Sequence, residues 1–356
     1  MAIAEKIKNA KYFKENQLKT IKTLKKIDDN IYALDYKYDY DLDTLLETGV
    51  SNTAELLAYA EKTVLFGSKK LHLGDGEMGC AAFNARNENG EHILGRNFDY
   101  KAAPVLACWT HPENGYSSVS FVDCNFMLYG PKRNPLAKQK RLQTLIAPYC
   151  PVDGMNEKGL TIIVLQIKGE CTRQETGKKK ITPTVMIRTV LDKCATVDEA
   201  IEYYKKYDMH DALGVSYHYL IGDANGNSVI IEYINNELRI INPVNRDGWS
   251  CDSQYLTNFF VSEDGNNTHG DGWDRYRKIG LTLEHGNGTL TEAEAMNLLS
   301  SINLHYRHKL GWEVITLWSA VYNCDKATVK LCAGMDYSKA YSLSVEKPCE
   351  VTAWDK

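Results

Sequence analysis

Apolar positions change their period several times along this 356-residue chain. Ile3, Ile7, Ala10, Phe13, Leu18, Ile21 and Leu24 recur at roughly helical spacing on a lysine-rich background, which predicts an amphipathic helix within residues 1–26. Residues 31–38 alternate in part and read as extended. Asn52 with Glu55 three residues later is a helix start signal, and the helix is expected to run to about Phe66. Residues 67–79 read as a loop. A shorter period then takes over: residues 81–86 form a strand-like run, Asn87-Glu88-Asn89-Gly90 a turn, and residues 92–100 a returning strand. The clearest hairpin flanks Asn225-Gly226, with residues 217–223 before it and 228–233 after it. A second turn at Asn235-Asn236 leads into residues 238–241. Residues 160–167 are almost continuously apolar, as in a strand covered on both faces. Thr196 with Glu199 and Thr291 with Glu294 are capping boxes opening two further helices.

This order divides the chain near residue 79. Residues 1–79 are expected to be a small, mostly helical segment, either a subdomain or a prosegment covering a site. Residues 80–356 are mainly strands and hairpins with inserted helices, an α+β region in which two face-to-face sheets flanked by helices accommodate the sequence.

Composition narrows the function classes. A hydrophobic content of 44% and a charged content of 25% describe a chain able to bury a core. A net charge of -4 gives no reason to expect nucleic acid or an anionic membrane surface as a partner. The N-terminus lacks the apolar core of a secretory signal, and no stretch approaches the roughly 18 apolar residues of a membrane span. A cytoplasmic location is therefore expected. The ten cysteines include no Cys-x-x-Cys pair, and the histidines do not cluster, so neither a metal nor another cofactor is expected. Most of the cysteines read as small buried hydrophobes of a reducing compartment.

Cys80 stands apart through its neighbours. It follows the Gly-rich stretch Gly74-Asp75-Gly76-Glu77-Met78-Gly79 and opens the first hairpin, whose returning strand carries Arg96 and Asp99. A Gly-Cys bond in that position suits a cysteine that cuts its own chain, because the released residue carries a thiol and a free α-amine, nucleophile and base together. With ordinary pKa values of about 8.5 and about 7.7–8, the two can share a proton near neutrality. Arg96 and Asp99, three apart, fall on opposite faces of a regular strand, so both reach one site only if the strand ends or bulges between them.

Five segments in order resemble the choloylglycine hydrolase group, which includes bile salt hydrolases, penicillin V acylases and related linear-amide hydrolases. They are Cys80 with Gly95-Arg96-Asn97-Phe98-Asp99-Tyr100, Asn156-Glu157-Lys158-Gly159-Leu160, the 217–233 hairpin with Ile221-Gly222-Asp223, Leu256-Thr257-Asn258, and Asp274-Arg275-Tyr276. The resemblance covers about residues 80–345. It implies an N-terminal-nucleophile (Ntn) hydrolase of four-layer αββα fold. It further implies Cys80 as nucleophile after cleavage at Gly79-Cys80, Asp99 holding the amine and Arg96 beside the thiolate. Asn258 would then donate to the tetrahedral oxyanion together with the backbone N–H of Gln166, and Arg275 would orient the network. The residues at 79 and before resemble the leader of precursor-type relatives.

The implied activity is hydrolysis of a linear, non-peptide C–N amide of a small N-acyl compound through a Cys80 thioester. An aromatic-rich stretch (Tyr100, Trp109, Tyr116, Phe121, Phe126, Tyr129) is expected to line an acyl pocket in part. Gln166 stands where bile salt hydrolases and penicillin acylases carry other residues, which argues against bile-salt specificity. Acyl transfer to an amine or thiol, and an uncleaved acyl-binding protein, remain as alternatives. A papain-like protease with His218 as base lacks the flanking sequence it needs. The relatives leave the oligomeric state open, with a homodimer or homotetramer in view.

Overall fold

Alternating strands here are buried on both sides, and the computed structural model shows why: two sheets stack face to face between layers of helix. It describes residues 15–64, 79–127, 134–137, 140–212, 214–244, 253–262 and 272–355. Of the loop expected at 67–79, residues 67–78 lie outside them while Gly79 is already strand; Tyr129 and most of the expected first helix also lie outside, and residues 15–23 are helical.

The first sheet has nine strands in the order β1 (Lys25–Lys26), β2 (Ile31–Asp35), β5 (Val105–Thr110), β6 (Ser118–Asp123), β7 (Asp153–Asn156), β8 (Thr161–Ile167), β11 (Ser216–Gly222), β12 (Ser228–Ile234) and β13 (Glu237–Ile241). The second is built on β14 (Tyr255–Leu256), β3 (Gly79–Arg86), β4 (His92–Lys101), β16 (Glu313–Asn323), β17 (Thr328–Ala333), β18 (Tyr341–Ser344) and β19 (Thr352–Ala353), with β15 (His305–Arg307) beside β16. A separate two-stranded ladder joins β9 (Lys180–Ile181) to β10 (Asp208–Met209).

Period-two patterning sorts side chains between the layers. Phe121 of the first sheet packs 6.3 Å from Trp318 and 6.2 Å from Tyr322 of the second, centroid to centroid, while Phe98 stacks on Trp318 at 4.2 Å. The opposite face of the second sheet offers Ala81, Phe83, Ile93 and Val321 to Ile279 and Leu283 of one helix and Met296 and Leu299 of the next. Those helices are Trp273–His285 and Glu292–Ser301, and the latter opens with the complete Thr291–Glu294 capping box. Helices Pro183–Lys193 and Val197–Lys206 follow the first sheet. At the second of these, Thr196 caps the Glu199 N–H but the Glu199 carboxylate reaches Ala195 instead, half a capping box. The fold is a four-layer αββα sandwich with a strand-bearing N-terminal segment.

That segment contains helices Leu42–Thr48 and Thr53–Thr63, the second capped by Asn52 at 2.9 Å from the Glu55 N–H. It also contributes β2, which lies parallel to β5 over Ile31–Asp35, all five residues buried. Tyr40 hydrogen-bonds Asp192 at 2.5 Å and Tyr36 the carbonyl of Leu145 at 2.8 Å, tying the segment to elements far along the chain. Among the described residues no helix is long and apolar enough to cross a membrane, and none of the cysteines is in a disulfide.

Candidate active site

The β3–β4 hairpin sets Gly79 opposite Asp99, Cys80 opposite Phe98 and Ala82 opposite Arg96. Residues opposite one another share a face. Cys80, Phe98 and Arg96 therefore look into the space between the sheets, and Gly79 and Asp99 toward the outer helices. The strand does not break between Arg96 and Asp99; the irregularity falls on β16, where the register slips between Thr316 and Trp318. The two residues thus bracket Cys80 from opposite faces of a continuous strand, a route that the sequence spacing alone did not offer.

On the inner face Arg96 is fully buried and pairs through Nε with Asp153 of the other sheet. Trp318 Nε1 donates to the same carboxylate at 3.2 Å. Arg96 also sits over the Phe98 ring, 4.8 Å from its centroid. Burial works against its charge, but Cys80 and Asp153 raise its pKa above the ordinary value, so it remains a guanidinium cation beside the thiol. Burial pushes the Cys80 thiol up, and Asp99 adds to this, while Arg96 and Arg275 pull it down; the net direction is upward.

On the outer face Asp99 accepts from the Thr316 hydroxyl at 2.5 Å and lies 2.7 Å from Arg275 NH1 of helix Trp273–His285. The angle at this second contact is poor for a hydrogen bond, so the two meet as charges. A Cβ on Gly79 would come within 3.1 Å of the Asp99 carboxylate and 2.9 Å of Leu304. The peptide joining Gly79 to Cys80 is thus pressed against this ion pair. Its nitrogen, that of Cys80, donates to Asn258 Oδ1 at 3.0 Å. Asn258 Nδ2 in turn donates to the Gln166 carbonyl at 2.7 Å, which leaves its second amide hydrogen for another acceptor.

The structure therefore brings Cys80, Gly79, Arg96, Asp99, Asn258 and Arg275 around one peptide bond, with Gln166 joined through its carbonyl. Sequence reasoning missed Asp153 and Thr316, whose only signal is cross-sheet or cross-strand contact. It also placed the aromatic stretch too generously. Trp109 and Phe121 are fully buried core, Tyr116 sits beneath Lys158, and among the described residues of the stretch only Phe126 lines an apolar slot. Those two core rings alternate with the strand period of β5 and β6, which a count of aromatics overlooks. His218 is not a base for Cys80: its ring nitrogens meet Glu232 and the Thr257 carbonyl.

The slot is narrow, a cavity of about 40 Å³. Leu56, Phe126, Val152, Val164, Pro183 and Tyr217 are among its walls. Tyr217 pairs in register with Gln166, so the slot adjoins the site. Tyr100, next to Asp99, is 5.8 Å from the Phe126 ring.

The chain resembles solved structures of conjugated bile acid hydrolase from Clostridium perfringens, at 15% identity over 78% of this chain and 97% of that one, TM-score 0.53; a second variant gives 14%, the same coverages and 0.52. Penicillin V acylase from Agrobacterium tumefaciens matches at 18% identity over 75% of this chain and 87% of that one, TM-score 0.51. At these identities the likeness is one of fold. Residues 85–337, beginning just past Cys80 and spanning well over half of the chain, match the family described as acyl-coenzyme A:6-aminopenicillanic acid acyl-transferase. This chain belongs to that family.

Proposed function

We propose that this protein is a self-cleaving cysteine amidase acting on a small N-acyl compound. The observation that carries the reading is the Gly79–Cys80 peptide, whose nitrogen is held by Asn258 and whose glycine lies against the Asp99–Arg275 pair. In maturation the Cys80 thiol attacks the Gly79 carbonyl and the C–N bond breaks. The thiol proton goes to the departing nitrogen, and a thioester remains. Water then releases the Gly79 carboxylate and restores the thiol, now beside a free α-amine. In turnover that amine takes the thiol proton as Sγ attacks the substrate amide, and returns it to the leaving amine; water resolves the acyl-enzyme. Asn258 and the Gln166 backbone N–H would stabilise the oxyanion, and loss of one such donor typically costs about 10²–10³ in rate. The apolar slot beside Tyr217 would take a slender acyl group.

Acyl transfer is the second reading, favoured by the activity after which the matched family is described. Both share the acyl-enzyme and differ in whether an amine or water resolves it.

The test is intact mass under denaturing conditions for wild type and Cys80→Ala. Two fragments divided at Gly79-Cys80 in wild type alone support the reading, and N-acyl amides with and without an acceptor amine then separate the two fates. A single 40.2 kDa chain in both samples would reject self-activation.

A further inference from the structure

The chemistry above leaves unused a buried ionisable pair on the central hairpin. His218 of β11 and Glu232 of β12 are both completely buried, with Nδ1 3.1 Å from Oε1. His218 Nε2 lies 2.7 Å from the carbonyl oxygen of Thr257, the residue before Asn258. The Glu232 carboxylate accepts the backbone N–H groups of Val261 at 2.9 Å and Ser262 at 3.2 Å, and the Ser262 hydroxyl at 2.7 Å. Burial raises the Glu232 pKa, but these donors, led by His218, bring it below the ordinary value.

One pair thus grips residues 257–262 at both ends, with Asn258 between the grips. The stretch follows β14 and has no regular secondary structure, so no ladder fixes its backbone. Both His218 contacts are acceptors, so the two ring nitrogens are placed to donate to Glu232 and to the Thr257 carbonyl. Apolar residues of similar volume would fill such a place at no loss of stability. What the buried polar pair adds is a directed hold on a loop. The loop needs it, because Asn258 must present Oδ1 to Cys80 and Nδ2 to Gln166 at once.

We propose that His218 and Glu232 are positioning residues that clamp residues 257–262 and so hold the Asn258 amide at the Gly79–Cys80 peptide. The inference rests on the self-cleavage reading for its kinetic consequence but not for its geometry.

The test compares wild type with Glu232→Gln, Asn258→Ala and the double variant. Freshly translated chain is followed by intact mass for self-cleavage, and the mature enzyme by turnover of hexanoyl p-nitroanilide. Misplacing a catalytic group by about 1 Å costs on the order of 10²-fold, so Glu232→Gln should slow both steps by about that factor with the KM of the probe unchanged. In the Asn258→Ala background the same substitution should add nothing, because it acts through Asn258. Equal losses in both backgrounds would show a merely structural role and overturn the proposal. His218→Gln, which keeps a donor toward Thr257, should recover part of the rate lost in His218→Leu. Should Glu232→Gln fail to fold, Ser262→Ala removes a single grip and must show the same non-additivity. Hydrogen exchange at residues 257–262 needs no turnover: faster exchange in Glu232→Gln supports the clamp and unchanged exchange rejects it. A wild-type chain that stays whole rejects the proposed function without touching that readout.

Discussion

Gly79 and Asp99 face one another across the β3–β4 ladder at close quarters: a Cβ on Gly79 would lie 3.1 Å from Asp99 Oδ2 and 2.9 Å from Leu304 Cδ1. Any larger residue at this position must therefore displace Asp99 or Leu304. Gly79→Val is expected to push the peptide off Asp99. Overpacking costs about 1–3 kcal/mol, and each 1.36 kcal/mol is a factor of ten in rate, so self-cleavage should slow by roughly tenfold or more. A time course of intact mass reads this, and an unchanged rate would mean that the peptide moves freely away from Asp99.

Cleavage should also depend on pH through the thiol. Burial, with Asp99, raises the Cys80 pKa, while Arg96 opposes both. The sign follows: a raised thiol pKa keeps Cys80 protonated at neutral pH, and the stability this contributes is full below the unfolded-state pKa and is lost as pH climbs through the folded one. Removing Arg96 alone would strand Asp153, buried and unpaired, at about 3–5 kcal/mol. Arg96→Met with Asp153→Asn removes the charge more cleanly and should move the thiol pKa further upward. Iodoacetamide labelling of Cys80 against pH checks this; a profile displaced to lower pH would show that Arg96 does not act on the thiolate.

The N-terminal segment is expected to stay after the cut. β2 is sandwiched between β1 and β5, with every residue buried, and Tyr40 and Tyr36 reach Asp192 and Leu145. Gel filtration of the divided protein should give one peak containing both fragments, which separate only in denaturant. Release of the smaller fragment under native conditions would show that the segment is a removable cover.

Local signals in the sequence reached local structure. Asn235 and Asn236 both adopt positive φ, 52° and 64°, joining Ile234 to Glu237 in a two-residue turn of the kind that their type favours. The capping box at Thr291 formed in full, and the Cys80 hairpin with its Arg96–Asp99 spacing marked the place where the candidate residues come together. Contacts made by stacking left no such mark. Asp153 occupies a four-residue strand without alternation and meets Arg96 only because two sheets pack together. The parallel pairing of β2 with β5 joins residues 31–35 to 105–109, a register that no local pattern encodes. Nor did the strand position of His218 announce Glu232 and Thr257 as its partners, since both contacts are tertiary.

The slot beside the site gives the last expectation. Leu56 precedes the Gly79–Cys80 peptide while Val164, Phe126 and Tyr217 follow it, so both sides of that peptide shape one cavity. Leu56→Trp should shorten the slot without touching Cys80, Asp99 or Asn258. Single methylene differences in an apolar pocket are worth about 10–200-fold in kcat/KM. Across p-nitroanilides of increasing straight-chain length, the variant should retain activity on the shortest acyl groups and lose it progressively on longer ones, while self-cleavage proceeds at the wild-type rate. If chain-length preference is unchanged, the acyl group does not enter this slot. If self-cleavage fails as well, Leu56 supports the fold of the site and its place in the slot says nothing about substrate.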